Sequence, residues 1–162
     1  MSSYIKHVIE NFSKETIILE IGAGHRSTKQ FSEHFDKIYS IEHNERFIGH
    51  YSSNYIHVEL DDQTKWYDID TFREKLPKDY DLLILDGPPG GYRPNDRSVV
   101  GKKFRYGFCD SFPDIKKDIT IIVDDTHRPW KELEVVEFLK DNGYKTETKE
   151  GFTICIPKKD NK

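Results

Sequence analysis

The apolar positions of the chain change period several times, and each change marks an element. Tyr4, Ile5, Val8, Ile9 and Phe12 recur at helical spacing, which predicts an amphipathic helix at the N-terminus. The run TIILEIG (16–22) is a short apolar run, interrupted only by Glu20 after its opening threonine, that stops at a glycine, as a strand covered on both faces does. STKQFSEHF (27–35) follows as a helix with Ser27 as its expected N-cap. KIYSIEH (37–43), YIHVEL (55–60), YDLLILDG (80–87) and DITIIVDD (118–125) read as further strands. A short helix opened by Asn44 is expected over NERFIGHYS (44–52), and Trp66, Ile69, Phe72 and Leu76 share a helical face. A last helix carries Trp130, Leu133, Val136 and Leu139 and stops at Asn142-Gly143, a helix C-terminus signal. Two strand-like runs around Glu150-Gly151 close the chain as a hairpin.

Strands alternating with helices predict an α/β fold with a doubly wound, mostly parallel sheet, Rossmann-like, of seven strands, and the final hairpin requires an antiparallel edge. One compositional texture over 162 residues predicts a single domain. In such sheets ligands bind outside the carboxyl ends of the strands. The strand ends therefore hold the candidate chemistry: Glu20 with Gly22-Ala23-Gly24, then Glu42, Asp61, Asp86 and the pair Asp124-Asp125.

Composition narrows the partners. A net charge of −4 gives no global field for nucleic acid, so none is expected. The apolar runs are too short to span a bilayer, and Lys6, His7 and Glu10 interrupt any signal-peptide pattern. Two cysteines, Cys109 and Cys155, make neither a disulfide framework nor a zinc site on their own. A cytoplasmic setting without membrane attachment is the expectation.

Gly22 and Gly24 form a tight turn between strand and helix, where small residues let the backbone approach a ligand. Glu42 stands 20 residues after Gly22 at the end of the second strand, where a carboxylate can accept both hydroxyls of a ribose. A dinucleotide fingerprint would place a third glycine where Ser27 stands, which argues against a pyrophosphate cofactor. With the acid-x-G-x-G turn, the second-strand acid and the closing hairpin, the chain resembles class I S-adenosylmethionine-dependent methyltransferases from about Thr16 to Pro157. The resemblance implies that Glu20, Gly22, Ala23 and Gly24 serve the methionine end, Glu42 the ribose and Asp61 or Asp62 the adenine side. Arg26-Ser27-Thr28 departs from the family pattern, in which another glycine is common.

Asp86, Asp124 and Asp125 would converge at one rim, where three uncompensated carboxylates raise one another's pKa. A divalent cation relieves that repulsion, and an all-oxygen site suits Mg²⁺ or Mn²⁺. The arrangement resembles metal-dependent O-methyltransferases, which implies Asp86, Asp124 and Asp125 as metal ligands, with Asp86 also beside the cofactor. LDGPPGGYRPNDR (85–97) and IVDDTHR (122–128) are in addition similar to segments of glucuronoxylan O-methyltransferases. That likeness implies a small-molecule or saccharide acceptor, a uronic acid among them. Arg93, Arg97 and Arg128 are then candidates for pairing with an anionic acceptor, since a guanidinium matches a carboxylate bidentately. His127 is a candidate base because an unperturbed imidazole titrates near neutrality. Tyr92, Phe104, Tyr106, Phe108 and Phe112 either wall an acceptor pocket or pack a short lid. The same residues also accommodate a methyltransferase without a metal, or a nucleotide-binding domain without turnover. A binding module would use Glu42 but has no need of the three strand-end aspartates.

Overall fold

A computed structural model describes residues 2–88, 107–127 and 132–159. The elements are α1 (Ser3–Asn11), β1 (Ile18–Ile21), α2 (Ser27–His34), β2 (Ile38–Glu42), β3 (Asn54–His57), α3 (Ile69–Lys75), β4 (Leu82–Leu85), α4 (Gly107–Ser111), β5 (Thr120–Asp124), α5 (Glu132–Asp141), β6 (Tyr144–Thr148) and β7 (Phe152–Pro157). The strands form one seven-stranded sheet in the order β3-β2-β1-β4-β5-β7-β6. The first five are parallel; β7 runs antiparallel to β5 and to β6. This is the expected doubly wound sheet with its antiparallel C-terminal edge.

Period-two alternation sends each parallel strand's side chains to two different layers. Leu19, Ile21, Leu83, Leu85, Ile121 and Val123 pack toward Phe72, Phe108, Val135 and Leu139 of α3, α4 and α5. Ile18, Ile38, Leu82, Ile84 and Ile122 pack toward Tyr4, Ile5, Val8 and Phe31 of α1 and α2. Glu20 and Ser40 share the parity of this second set, and Glu42, Asp86 and Asp124 continue it at the carboxyl ends. The sheet's apolar runs therefore conceal one face that turns acidic toward its rim.

Several boundaries differ from the sequence expectation, each for a local reason. Ser27 is the first residue of α2 rather than its N-cap; Arg26 takes that position, and the Ser27 hydroxyl donates to Glu20 instead. The helix expected at Asn44 is a single 3₁₀ turn, Glu45–Phe47, capped by the Asn44 side chain accepting from Arg46 N at 3.1 Å. Trp66 precedes α3, because Asp68 caps that helix through Thr71 N at 2.9 Å. Trp66 is nonetheless fully buried and donates from Nε1 to Ser111 Oγ at 2.9 Å. The hairpin forms as expected, with Gly151 at φ +83° in its turn. Cys109 and Cys155 are both buried free thiols, and burial pushes Cys155 up to about 12.

Candidate active site

The floor of the site is a backbone contact between two strand ends. Gly22 follows β1 at φ +94°, and a Cβ there would lie 2.6 Å from Gly87 Cα. A Cβ on Gly87 would meet Gly22 Cα at the same distance. The two glycines let the ends of β1 and β4 touch. Gly87 is thus needed for its missing side chain. Gly24 differs: a Cβ there would have only Ser27 Oγ nearby, at an ordinary 3.7 Å.

Glu20 lies directly beneath this turn and is fully buried. Its carboxylate accepts from the hydroxyls of Ser27, Thr28 (2.7 Å) and Ser40 (3.0 Å). Thr28 Oγ1 in turn accepts from Gly24 N at 2.9 Å, so the acid, α2 and the glycine turn are one hydrogen-bonded unit. Burial outweighs those three donors and raises the Glu20 pKa from 4.5 to about 7. Native Glu20 therefore holds its proton while the unfolded chain has lost it, so stability falls as pH rises from 4.5 to 7. Glu20→Gln should remove about 3 kcal/mol of that fall, at 1.36 kcal/mol per unit. Urea unfolding at pH 5 and pH 7.5 checks it; an unchanged difference in the variant would refute the assignment.

Glu42 is 3% exposed and binds the turn from the other side. Its Oε2 accepts from Ala23 N at 3.0 Å, and its Oε1 accepts from His43 N at 3.0 Å and Asn44 N at 2.8 Å. Oε2 keeps a lone pair beyond the Ala23 contact.

Beyond the turn, carboxylate oxygens of Asp86, Asp124 and Asp125 all lie within 4.8 Å of one another, each residue partly buried. Asp125 takes φ +62° where the chain leaves β5, which sets it beside Asp124 rather than on the opposite side of the strand. Burial, followed by the charges of Asp86 and Asp125, pushes Asp124 up to about 8. Tyr4, read from sequence only as a helix-core position, reaches this cluster from α1. It is 2% exposed, and its hydroxyl donates to Asp86 Oδ2 at 2.5 Å. Burial, with the negative charge of Asp86, holds the phenol well above 10, so it stays a donor. Its position in a plain i, i+1, i+4 apolar pattern gave no sign that the hydroxyl would enter a site.

The glycine turn and the aspartates share a cleft of about 390 Å³, lined by Tyr4, Gly24, Ser27, Asp86, Asp124 and Asp125 among others. Asp61 is elsewhere. It lines a separate hollow of about 570 Å³ with His57, Glu59 and Asp68. Its Oδ1 accepts from Thr64 N at 2.9 Å and Gln63 N at 2.8 Å, bonds that lower its pKa. His127 is exposed, with its ring against Gly151 in the hairpin turn. Phe108 and Phe112 belong to the α3–α5 layer, with Phe108 fully buried and Phe112 packed against the core. Arg93, Arg97, Arg128, Tyr92, Phe104 and Tyr106 lie outside the described residues.

The fold is similar to that of solved methyltransferases. MycE methyltransferase from the mycinamycin biosynthetic pathway, solved with Mg and S-adenosylhomocysteine, aligns over 98% of this chain at TM-score 0.62 and 15% identity. The chain spans 46% of that protein. A TehB-like methyltransferase from Corynebacterium glutamicum aligns over 96% of this chain and 86% of its own at TM-score 0.57 and 14% identity. An rRNA methylase from Streptococcus thermophilus aligns over 96% and 94% at TM-score 0.56 and 10% identity. No family model and no curated protein matches the sequence. Among the described residues, no helix is long and apolar enough to cross a membrane.

Proposed function

We propose that this protein is an S-adenosylmethionine-dependent O-methyltransferase acting on a hydroxyl of a small molecule or sugar, with a uronic acid the acceptor to test first. The observation that carries it is the single cleft in which a ligand-accessible glycine turn faces three clustered aspartates. A nucleotide-binding module would need the turn and Glu42 but not the aspartates. A nucleic-acid acceptor is not part of this reading, since the net charge of −4 offers no general attraction to phosphates.

S-adenosylmethionine supplies a methyl group on a sulfonium, which leaves as a neutral thioether. The chain's part is alignment and charge placement. Gly24 admits the methionine end, while Glu20 holds the turn from below through Ser27 and Thr28. Glu42 accepts from the ribose diol, and Asp61 is the candidate for the adenine side. Asp86, Asp124 and Asp125 face the acceptor oxygen, and α1 covers them from solvent through Tyr4. His127 remains a candidate proton acceptor only after a shift of its ring away from Gly151.

The aspartates also fit a divalent cation. Burial first, and then the charges of Asp86 and Asp125, raise the Asp124 pKa, and bound Mg²⁺ or Mn²⁺ would relieve the repulsive part of that cost. Asp86, Asp124 and Asp125 would hold such an ion, and it would supply positive charge that favours a deprotonated hydroxyl. A second reading, without metal, is favoured by the hydrogen bonds inside the cluster. Asp124 bonds to Asp86, and Tyr4 donates to Asp86, so the acids can share a proton.

Calorimetry with S-adenosylhomocysteine, with and without Mn²⁺, tests both readings. Glu42→Ala should weaken S-adenosylhomocysteine by about 1.5–3 kcal/mol, the range for hydrogen bonds to a charged group. Parent-like affinity in a folded Glu42→Ala variant would move the cofactor elsewhere. Mn²⁺ heats that are absent at pH 8 would leave the metal-free reading.

A further inference from the structure

The cleft continues into a second hollow of about 470 Å³ between α1 and α2. The two share Ser2, Ile5, His25 and Arg26, and the second extends to Lys29 and Gln30. Its charge is opposite to that of the cleft floor. Among the described residues its lining holds Arg26 and Lys29 and no carboxylate. Among the described residues neither cation is within ion-pair distance of an acid. These two cations, three residues apart at the start of an eight-residue helix, share one side of α2.

We propose that this hollow is the anion subsite of the acceptor, and that Arg26 and Lys29 receive a carboxylate or phosphate group carried by the molecule to be methylated. The inference rests on reading the cleft as the methyl-transfer site, and it assigns that site a polarity. An anion is repelled by Asp86, Asp124 and Asp125 at one end and attracted by Arg26 and Lys29 at the other. An acceptor bearing both a hydroxyl and an acid group then enters in one orientation, hydroxyl toward the aspartates. The subsite uses residues on the glycine-turn side.

The same chemistry exists on the amino-acid end of the cofactor, so the test separates the two sources. Nuclear magnetic resonance titrations would compare glucuronate with glucose, with and without S-adenosylhomocysteine. Glucuronate should move the amide resonances of residues 25–30 and glucose should not. The double variant Arg26→Ala/Lys29→Ala should weaken glucuronate at least about tenfold, the scale of a lost charge-assisted bond, while its S-adenosylhomocysteine affinity stays within about twofold. Equal responses to the two sugars, or none, overturn the subsite. A double variant that loses S-adenosylhomocysteine but keeps methylthioadenosine, which lacks the amino-acid end, assigns the cations to the cofactor and overturns the acceptor reading. If the parent binds glucuronate through these residues but not S-adenosylhomocysteine, the anion subsite stands and the methyltransferase reading falls.

Discussion

Gly22→Ala should unfold easily or fail to fold, while Gly24→Ala should be close to parental in stability. At position 22 the added methyl would sit 2.6 Å from Gly87 Cα and 2.7 Å from Gly87 N, both backbone atoms of the neighbouring strand end. No rotamer relieves such a clash, so β1 and β4 must separate locally. The φ of +94° adds left-handed strain that any Cβ incurs. Overpacking and strain together suggest a loss of about 2–5 kcal/mol. A domain stable by about 5–15 kcal/mol would show that as a midpoint lower by on the order of 10 °C. Position 24 has neither problem, with only Ser27 Oγ at 3.7 Å. Any loss of S-adenosylhomocysteine affinity in Gly24→Ala is therefore a contact with ligand rather than damage to the fold. Thermal unfolding of both variants decides the matter. A Gly22→Ala protein as stable as the parent would mean that the β1–β4 contact is not as drawn.

Asp124→Asn should abolish turnover and raise stability at pH 8. The two effects belong together. Asp124 is held at about 8 by burial, Asp86 and Asp125, against an ordinary value of 3.8. Its raised folded-state pKa means that the native protein binds more protons than the unfolded chain between those values. Stability is lost as pH rises through that window, and the ionised acid is a cost at pH 8. An amide of the same shape removes the charge. On the proposed reading, that cost to folding accompanies a carboxylate that the chemistry uses. Turnover on a hydroxyl acceptor should fall on the order of a hundredfold or more, with S-adenosylhomocysteine affinity within about threefold. Turnover that survives in Asp124→Asn would remove the aspartates from the mechanism. A variant less stable than its parent at pH 8 would show that the cluster is structural.

The alternation of short apolar runs with helical periods was enough to specify the class of fold, because burial on both faces leaves no other reading of TIILEIG (16–22) or LLIL (82–85) beside amphipathic helices. It also pointed to the strand ends as the candidate site, since a parallel sheet brings all its carboxyl ends to one edge. Glu42, Asp86, Asp124 and Asp125 were legible for that reason. The continuity of the same runs hid which face each acid occupies. Only the packing of α1 and α2 showed that Glu20 is buried beneath the turn, with three hydroxyls on its carboxylate. The sequence did not show that the Asp61 carboxylate closes its own loop, accepting from backbone N–H groups two and three residues on, nor that it lines a separate hollow. Tyr4 and the cations of α2 were invisible as site residues. Their roles depend on how α1 docks against the sheet, a long-range contact that no local period encodes. The pairing of Gly22 with Gly87 is of the same kind: each glycine is ordinary in its own segment, and only the approach of β1 to β4 makes both indispensable.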